Sequence, residues 1–117
     1  MKRQEFNSVL NTEQEKIKAL FSEKNQAYGA GDDVFYNFRQ TAQRELPELY
    51  KENPHAAMFK VAEILVDKHN VALAKGIDVY EARSRLQDRV VYSLLQIAMI
   101  EEAAAKGSCE EVITDAR

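Results

Sequence analysis

Across 117 residues there is no tryptophan, one cysteine, two prolines and four glycines. The lone Cys109 excludes an internal disulfide, and without neighbouring Cys or His it makes no zinc site. The fold must therefore rest on a packed core, and a reducing, cytoplasmic setting is the expected one. No apolar run approaches the ~20 residues that a membrane-crossing helix needs. Met1-Lys2-Arg3 is basic, but a polar stretch follows it, so no signal-peptide core is expected. An excess of positive charge is missing too. Sixteen Lys and Arg stand against nineteen Asp and Glu, a formal net charge of -3. The two signs are interspersed, so there is no basic stripe for nucleic acid or for an anionic membrane surface.

The scarcity of helix breakers shapes what remains. A chain of this length can bury a core as one domain, here residues 1–117 with a core over about 12–106 and a tail over 107–117. No alternating pattern suits strands, so the expected class is all-α and four-helix bundle-like. The first helix is predicted over about Asn11 to Tyr28, with Thr12 and Glu15 as a capping box. Gly29 and Gly31 end it, and Asp32-Asp33 can cap a second helix from Val34 to Leu46. Pro47 sits in its end or begins a further turn through Tyr50. Asn53 followed by Pro54 starts a third helix, which reaches Lys75 before Gly76. Asp78 and Glu81 form another capping box for a fourth helix, Val79 to about Ala105, stopped by Gly107.

Side chains three, four and seven apart share a helix face. Ile17, Leu20, Phe21 and Tyr28 form the first stripe, with Lys24 upon it and Asn25 at its edge. The third helix packs through Met58, Ala62, Leu65, His69, Ala72 and Leu73, placing His69 in mid-stripe as a core histidine and Lys68 at the border. Glu63 and Asp67 fall opposite that stripe, on what reads as a solvated surface. The fourth helix is apolar on two sides. Val79, Leu86, Val90, Leu94 and Ile97 make one stripe; Tyr92, Leu95 and Met99 make another, extended by Asp88 and Glu81. Burial on both sides, within a bundle or at a dimer interface, is the expectation. Asp88 then points inward, one turn after Arg85, either as an internal salt bridge to Arg85 or Lys24 or as a ligand for a cation or substrate group.

The run Lys24-Asn25-x-x-Tyr28-Gly29, then Asp33, Asn37-Phe38, Lys68-His69, Gly76 and Arg85-x-x-Asp88-x-x-x-Tyr92 resembles small phage and prophage proteins related to the MazG-like, all-α nucleotide pyrophosphohydrolases. The resemblance spans about Phe21 to Glu102. It implies a four-helix arrangement, usually a dimer or dimer of dimers. It also implies cleavage of nucleoside triphosphates to monophosphate and pyrophosphate, with Mg²⁺ held by helix carboxylates. Related phage domains are linked to nucleotide modification. Active MazG-like enzymes carry Glu-x-x-Glu on one helix and Glu-x-x-Asp on the next. This sequence departs from both: Glu63 and Asp67 are four apart, and Arg85 stands where the partner acid of Asp88 would be.

The site expected from these readings binds a nucleotide or deoxynucleotide. Asp88, with Glu63 or Asp67, holds Mg²⁺ on the phosphates, while Lys24 and Lys68 offset phosphate charge. Asn25, Tyr28, Asp33, Asn37, Arg85 and Tyr92 orient the rest of the substrate. His55 and His69 lack a nucleophile for covalent catalysis, and Gly29-x-Gly31 has neither the spacing nor the preceding strand of a phosphate loop. The competing reading is a non-catalytic helical module, in which the lysines and Asp88 form an internal polar network that fixes helix register.

Overall fold

The computed structural model describes the backbone of residues 1–28 and 32–107, with side chains described for 1–23 and 32–107. Five helices and no strands occupy the described residues: α1 (Arg3–Tyr28), α2 (Tyr36–Glu45), α3 (Pro47–Glu52), α4 (Pro54–Ala74) and α5 (Val79–Ala105). The all-α class expected from the sequence is the one observed. The chain divides into two compact units, Met1–Val34 and Phe35–Arg117.

The first unit holds α1, which begins eight residues earlier than expected. Nothing in Arg3–Asn11 breaks a helix, and Glu5 Oε1 accepts a bond from the Lys2 N–H at 3.3 Å at the true start. Thr12 thus lies inside the helix, and Glu15 pairs with Lys18 at 3.7 Å rather than closing a capping box. Ile17, Leu20 and Phe21 are half-buried, whereas Phe6, Val9 and Leu10 are exposed.

In the second unit α2 starts two residues later than expected and has no side-chain cap; Phe35, not Asp32 or Asp33, stands at its N-cap. Pro47 opens α3 as a separate short helix, in the first-turn position where a missing N–H costs nothing. Asn53 caps α4 as expected, its Oδ1 accepting from the Ala56 N–H at 3.1 Å. Gly76 follows α4 with φ +81°, a backbone conformation that favours glycine. Asp78 Oδ1 accepts from both the Tyr80 and Glu81 N–H groups at 2.9 Å and starts α5. Glu81 does not reach back to complete a capping box; its carboxylate meets Arg85 four residues on.

The core lies where α2, α3 and α5 meet α4. Ala42, Ala57, Met58, Ala62 and Met99 are fully enclosed, with Phe35 and Val61 nearly so. Phe38, Leu46, Leu49, Tyr50, Leu65, Tyr92 and Leu95 pack around them. Burying an apolar side chain of the size of Met58 or Met99 contributes roughly 1.5–3 kcal/mol. The alanines on α4 let its neighbours approach closely, and the two methionines fill the space between them.

The two-sided reading of α5 is half observed. Tyr92, Leu95 and Met99 face the core, but the other stripe, Val79, Leu86, Val90, Leu94 and Ile97, is 46–75 % exposed. No helix among the described residues is long and apolar enough to cross a membrane.

Candidate functional site

Helices α4 and α5 pack against each other more extensively than any other pair of elements. Their side-chain partners fix the direction: His55 meets Glu102, Glu63 meets Gln96, and His69 meets Asp88, so the helices run antiparallel. Fourteen residues separate His55 from His69, and fourteen separate Asp88 from Glu102. Two heptads return a side chain to the same seam of a packed helix pair. A histidine from α4 and a carboxylate from α5 therefore face each other at both ends of one interface, each with an arginine beside them.

The two ends differ in how closely they shut. Near Glu102, Arg39 Nη2 donates to the carboxylate Oε1 at 2.8 Å, and His55 Nε2 stands 2.7 Å from the same oxygen. Lys106 Nζ lies 3.7 Å from it. Burial acts to raise the Glu102 pKa, but the Arg39 and His55 hydrogen bonds and the Arg39 and Lys106 charges outweigh it. The carboxyl is held below its ordinary 4.5. Arg39 is itself fixed, over the Phe35 ring at 5.8 Å and with Nη1 3.6 Å from the Met58 sulfur. We call this the tight end.

Near Asp88, Arg85 Nη1 lies 3.2 Å from His69 Nδ1, and Arg85 Nη2 lies 3.2 Å from Glu81 Oε1. A guanidinium can only donate, so Nδ1 of His69 accepts and the ring proton sits on Nε2. That Nε2–H side faces Asp88 Oδ2 across 3.8 Å, beyond direct hydrogen-bond reach. His69 is buried and its ring packs against Tyr92 at 6.0 Å, while Tyr92 meets Phe38 edge-on at 6.3 Å. The imidazole is thus rigidly held, and it stands farther from its carboxylate than His55 does from Glu102. This is the loose end.

Between them Gln96, nearly enclosed, donates through Nε2 to Glu63 Oε1 at 2.7 Å and lies 3.5 Å from the Phe59 carbonyl. Glu63 is exposed, yet its carboxylate turns toward α5 to satisfy this amide.

The residues expected to form a nucleotide site are distributed as follows. Arg85, Asp88 and Tyr92 gather with His69 at the loose end. Asp67 and Lys68 are exposed on α4, and Asn37 is exposed on the first turn of α2. Asp33 is half-buried and belongs to the first unit. Lys24, Asn25 and Tyr28 have side chains outside the described residues. No three His, Cys, Asp or Glu side chains come together as a metal-holding group among the described residues. Periodicity along single helices does not bring Arg39, His55, Glu102 and Gln96 together; the paired fourteen-residue spacings are the signal in the sequence that points to them. Comparison with protein-family models, curated proteins and solved structures finds no match to this chain.

Proposed function

We propose that the chain is a nucleotide-binding helical protein whose ligand engages the loose end of the α4–α5 seam. The observation that carries this reading is the assembly, across the α4–α5 seam, of the Arg85 guanidinium, the buried His69 imidazole and, 3.8 Å from that ring, the Asp88 carboxylate. The resemblance of Lys68-His69 and Arg85-x-x-Asp88-x-x-x-Tyr92 to MazG-like proteins supports it.

Arg85 presents a planar fork of donors that matches phosphate oxygens, and its present partner Glu81 is an exposed carboxylate that a phosphate can displace. The His69 Nε2–H offers a donor to a nucleotide oxygen beside the Asp88 carboxylate. Lys68 adds positive charge near the phosphates; Lys24, Asn25, Tyr28, Asp33 and Asn37 enter as sugar- or base-orienting groups on the resemblance alone. A single carboxylate fits Mg²⁺ when nucleotide phosphates supply most of the remaining ligands. Asp88 would hold it there, and a bound Mg²⁺ would neutralise phosphate charge; Glu63 already serves Gln96. Hydrolysis to monophosphate and pyrophosphate is the reaction that the resemblance implies.

A second reading, a non-catalytic helical module, draws support from Arg85 occupying the position of a paired acid and bonding within the protein. Calorimetric titration with a nucleotide panel, with and without Mg²⁺, separates the two. Binding that is lost in Asp88→Asn and Arg85→Met while the melting temperature holds supports the nucleotide site. Pyrophosphate release adds the enzymatic activity. Silence across the panel leaves the module.

A further inference from the structure

Away from its seam with α5, helix α4 carries a second pattern on its outer side. His55, Ala56, Ala57, Met58, Val61 and Ala62 are buried in its N-terminal half, but from Glu63 onward His69 alone is. In that open half Ile64 is 59 % exposed and Val71 46 %, and Lys68 and Lys75 are exposed with them. An aliphatic residue followed four positions later by a lysine thus occurs twice, seven residues apart. At about 100° per residue, all four side chains fall within an arc of about 60°. Lys75, the C-cap, keeps helical backbone angles, φ −75° and ψ −15°, so the stripe runs unbroken to the helix end. It is about 16 Å long.

Exposed aliphatic residues scattered singly are ordinary on any protein surface. A seven-residue repeat is a different signal. An apolar position with a charge at a fixed offset is what one helix of a pair presents to the other. The charge then states which partner fits. Neither Lys68 nor Lys75 has a carboxylate partner among the described residues. Lys60 and Asp67 border the stripe with opposite charges, so the face as a whole stays cationic. A second copy of this face would bring lysine against lysine. A nucleic-acid backbone would meet the lysines but leave Ile64 and Val71 in water. A helix with apolar residues at the same period and carboxylates beside them satisfies all four.

We infer that the C-terminal half of α4 docks an acidic amphipathic helix of a different protein. Ile64 and Val71 are its apolar anchors, and Lys68 and Lys75 pair with the carboxylates of the partner. Of the four, only Lys68 also enters the nucleotide reading, so the decisive substitutions fall at Val71 and Lys75.

Fluorescence anisotropy of the full chain with two labelled synthetic helices tests it. Both peptides carry leucine at a seven-residue period; one has glutamate beside each leucine, the other lysine. The acidic peptide binds the wild type about tenfold or more tighter than the basic one. Lys75→Glu narrows that ratio about threefold or more, weakening the acidic peptide and strengthening the basic one. Val71→Asn weakens the acidic peptide about fivefold or more by removing an anchor. Leu94→Asp, on the exposed stripe of α5, leaves the acidic peptide within about twofold of its wild-type affinity. Circular dichroism keeps the helical signal in all three variants, because the substituted positions are exposed. Equal affinity for the two peptides, or none for either, overturns the inference. So does acidic binding that ignores Val71→Asn and Lys75→Glu, or that is lost with Leu94→Asp.

Discussion

The two ends of the α4–α5 seam are built from the same residue types and have settled into different states. Each takes a histidine from α4, a carboxylate from α5 and an arginine. At the tight end the arginine comes from α2 and converges with His55 on one oxygen of Glu102, within 2.8 Å. At the loose end the arginine comes from α5 itself, three residues before Asp88, and binds His69 and Glu81 instead. A third helix supplying the cation closes the cluster from outside the pair; a cation on the same helix leaves a gap between acid and imidazole. The difference lies in geometry rather than in exposure, since the Glu102 side chain is 27 % exposed and that of Asp88 17 %. Composition alone does not separate a structural ion cluster from a candidate site.

The contrast can be broken most severely at the tight end. Glu102→Ala leaves the Arg39 guanidinium and His55 facing each other without their shared acceptor, in a partly buried place. We expect a loss of about 2 kcal/mol in urea unfolding, below the range for fully buried pairs because water reaches part of the cluster. Asp88→Ala is expected to cost less than Glu102→Ala, since Asp88 stands 3.8 Å from its histidine where Arg39 and His55 stand within 2.8 Å of Glu102. Equal costs for the two substitutions would erase the distinction.

Acidification sharpens it. The Glu102 carboxyl is depressed in the folded protein, so its contribution to stability is present above its unfolded value and disappears as pH falls through its folded value. Stability of the wild type should therefore decline below about pH 4.5, and Glu102→Gln should lower the neutral-pH stability while flattening that part of the decline. An unchanged acid slope in Glu102→Gln would show that the cluster contributes nothing through this proton.

Smaller effects are expected at the helix starts that frame the seam. Asn53→Ala removes the acceptor for the Ala56 N–H at the tight end, and Asp78→Ala removes one oxygen serving two N–H groups near the loose end. Each should cost about 1 kcal/mol by chemical denaturation. Hydrogen exchange would then rise in the first turn of α4 for one variant and of α5 for the other.

Much of this architecture is legible in the residues. Asn53-Pro54, Asp78, and Gly76 and Gly107 with their positive φ mark the bounds of α4 and α5 because capping chemistry is local. The start of α1 is misread because Thr12 and Glu15 satisfy a cap pattern in a stretch with no breaker before it, and a helix keeps propagating through good formers. His69 in mid-stripe and Asp88 on the inner face of α5 are correctly located by periodicity. Their partners are harder to read. Arg85 looks destined for Asp88, yet a guanidinium has several acceptors in range and the fold gives it Glu81 and His69. Glu63 reads as solvated because the wheel records its direction but not the reach of Gln96 from the next helix. Pairings between elements depend on register, and a single sequence states register only through spacings such as the fourteen residues that recur on both helices.

The division between the two ends is tested most directly by titrating the nucleotide panel into wild type, Asp88→Asn and Glu102→Gln, with melting curves recorded alongside. Asp88→Asn should lose binding and melt as the wild type does, while Glu102→Gln should melt earlier and bind with unchanged affinity at low temperature. Binding that vanishes with Glu102→Gln but survives Asp88→Asn would contradict the account, because it would put the ligand at the end where guanidinium, imidazole and carboxylate already converge within 2.8 Å.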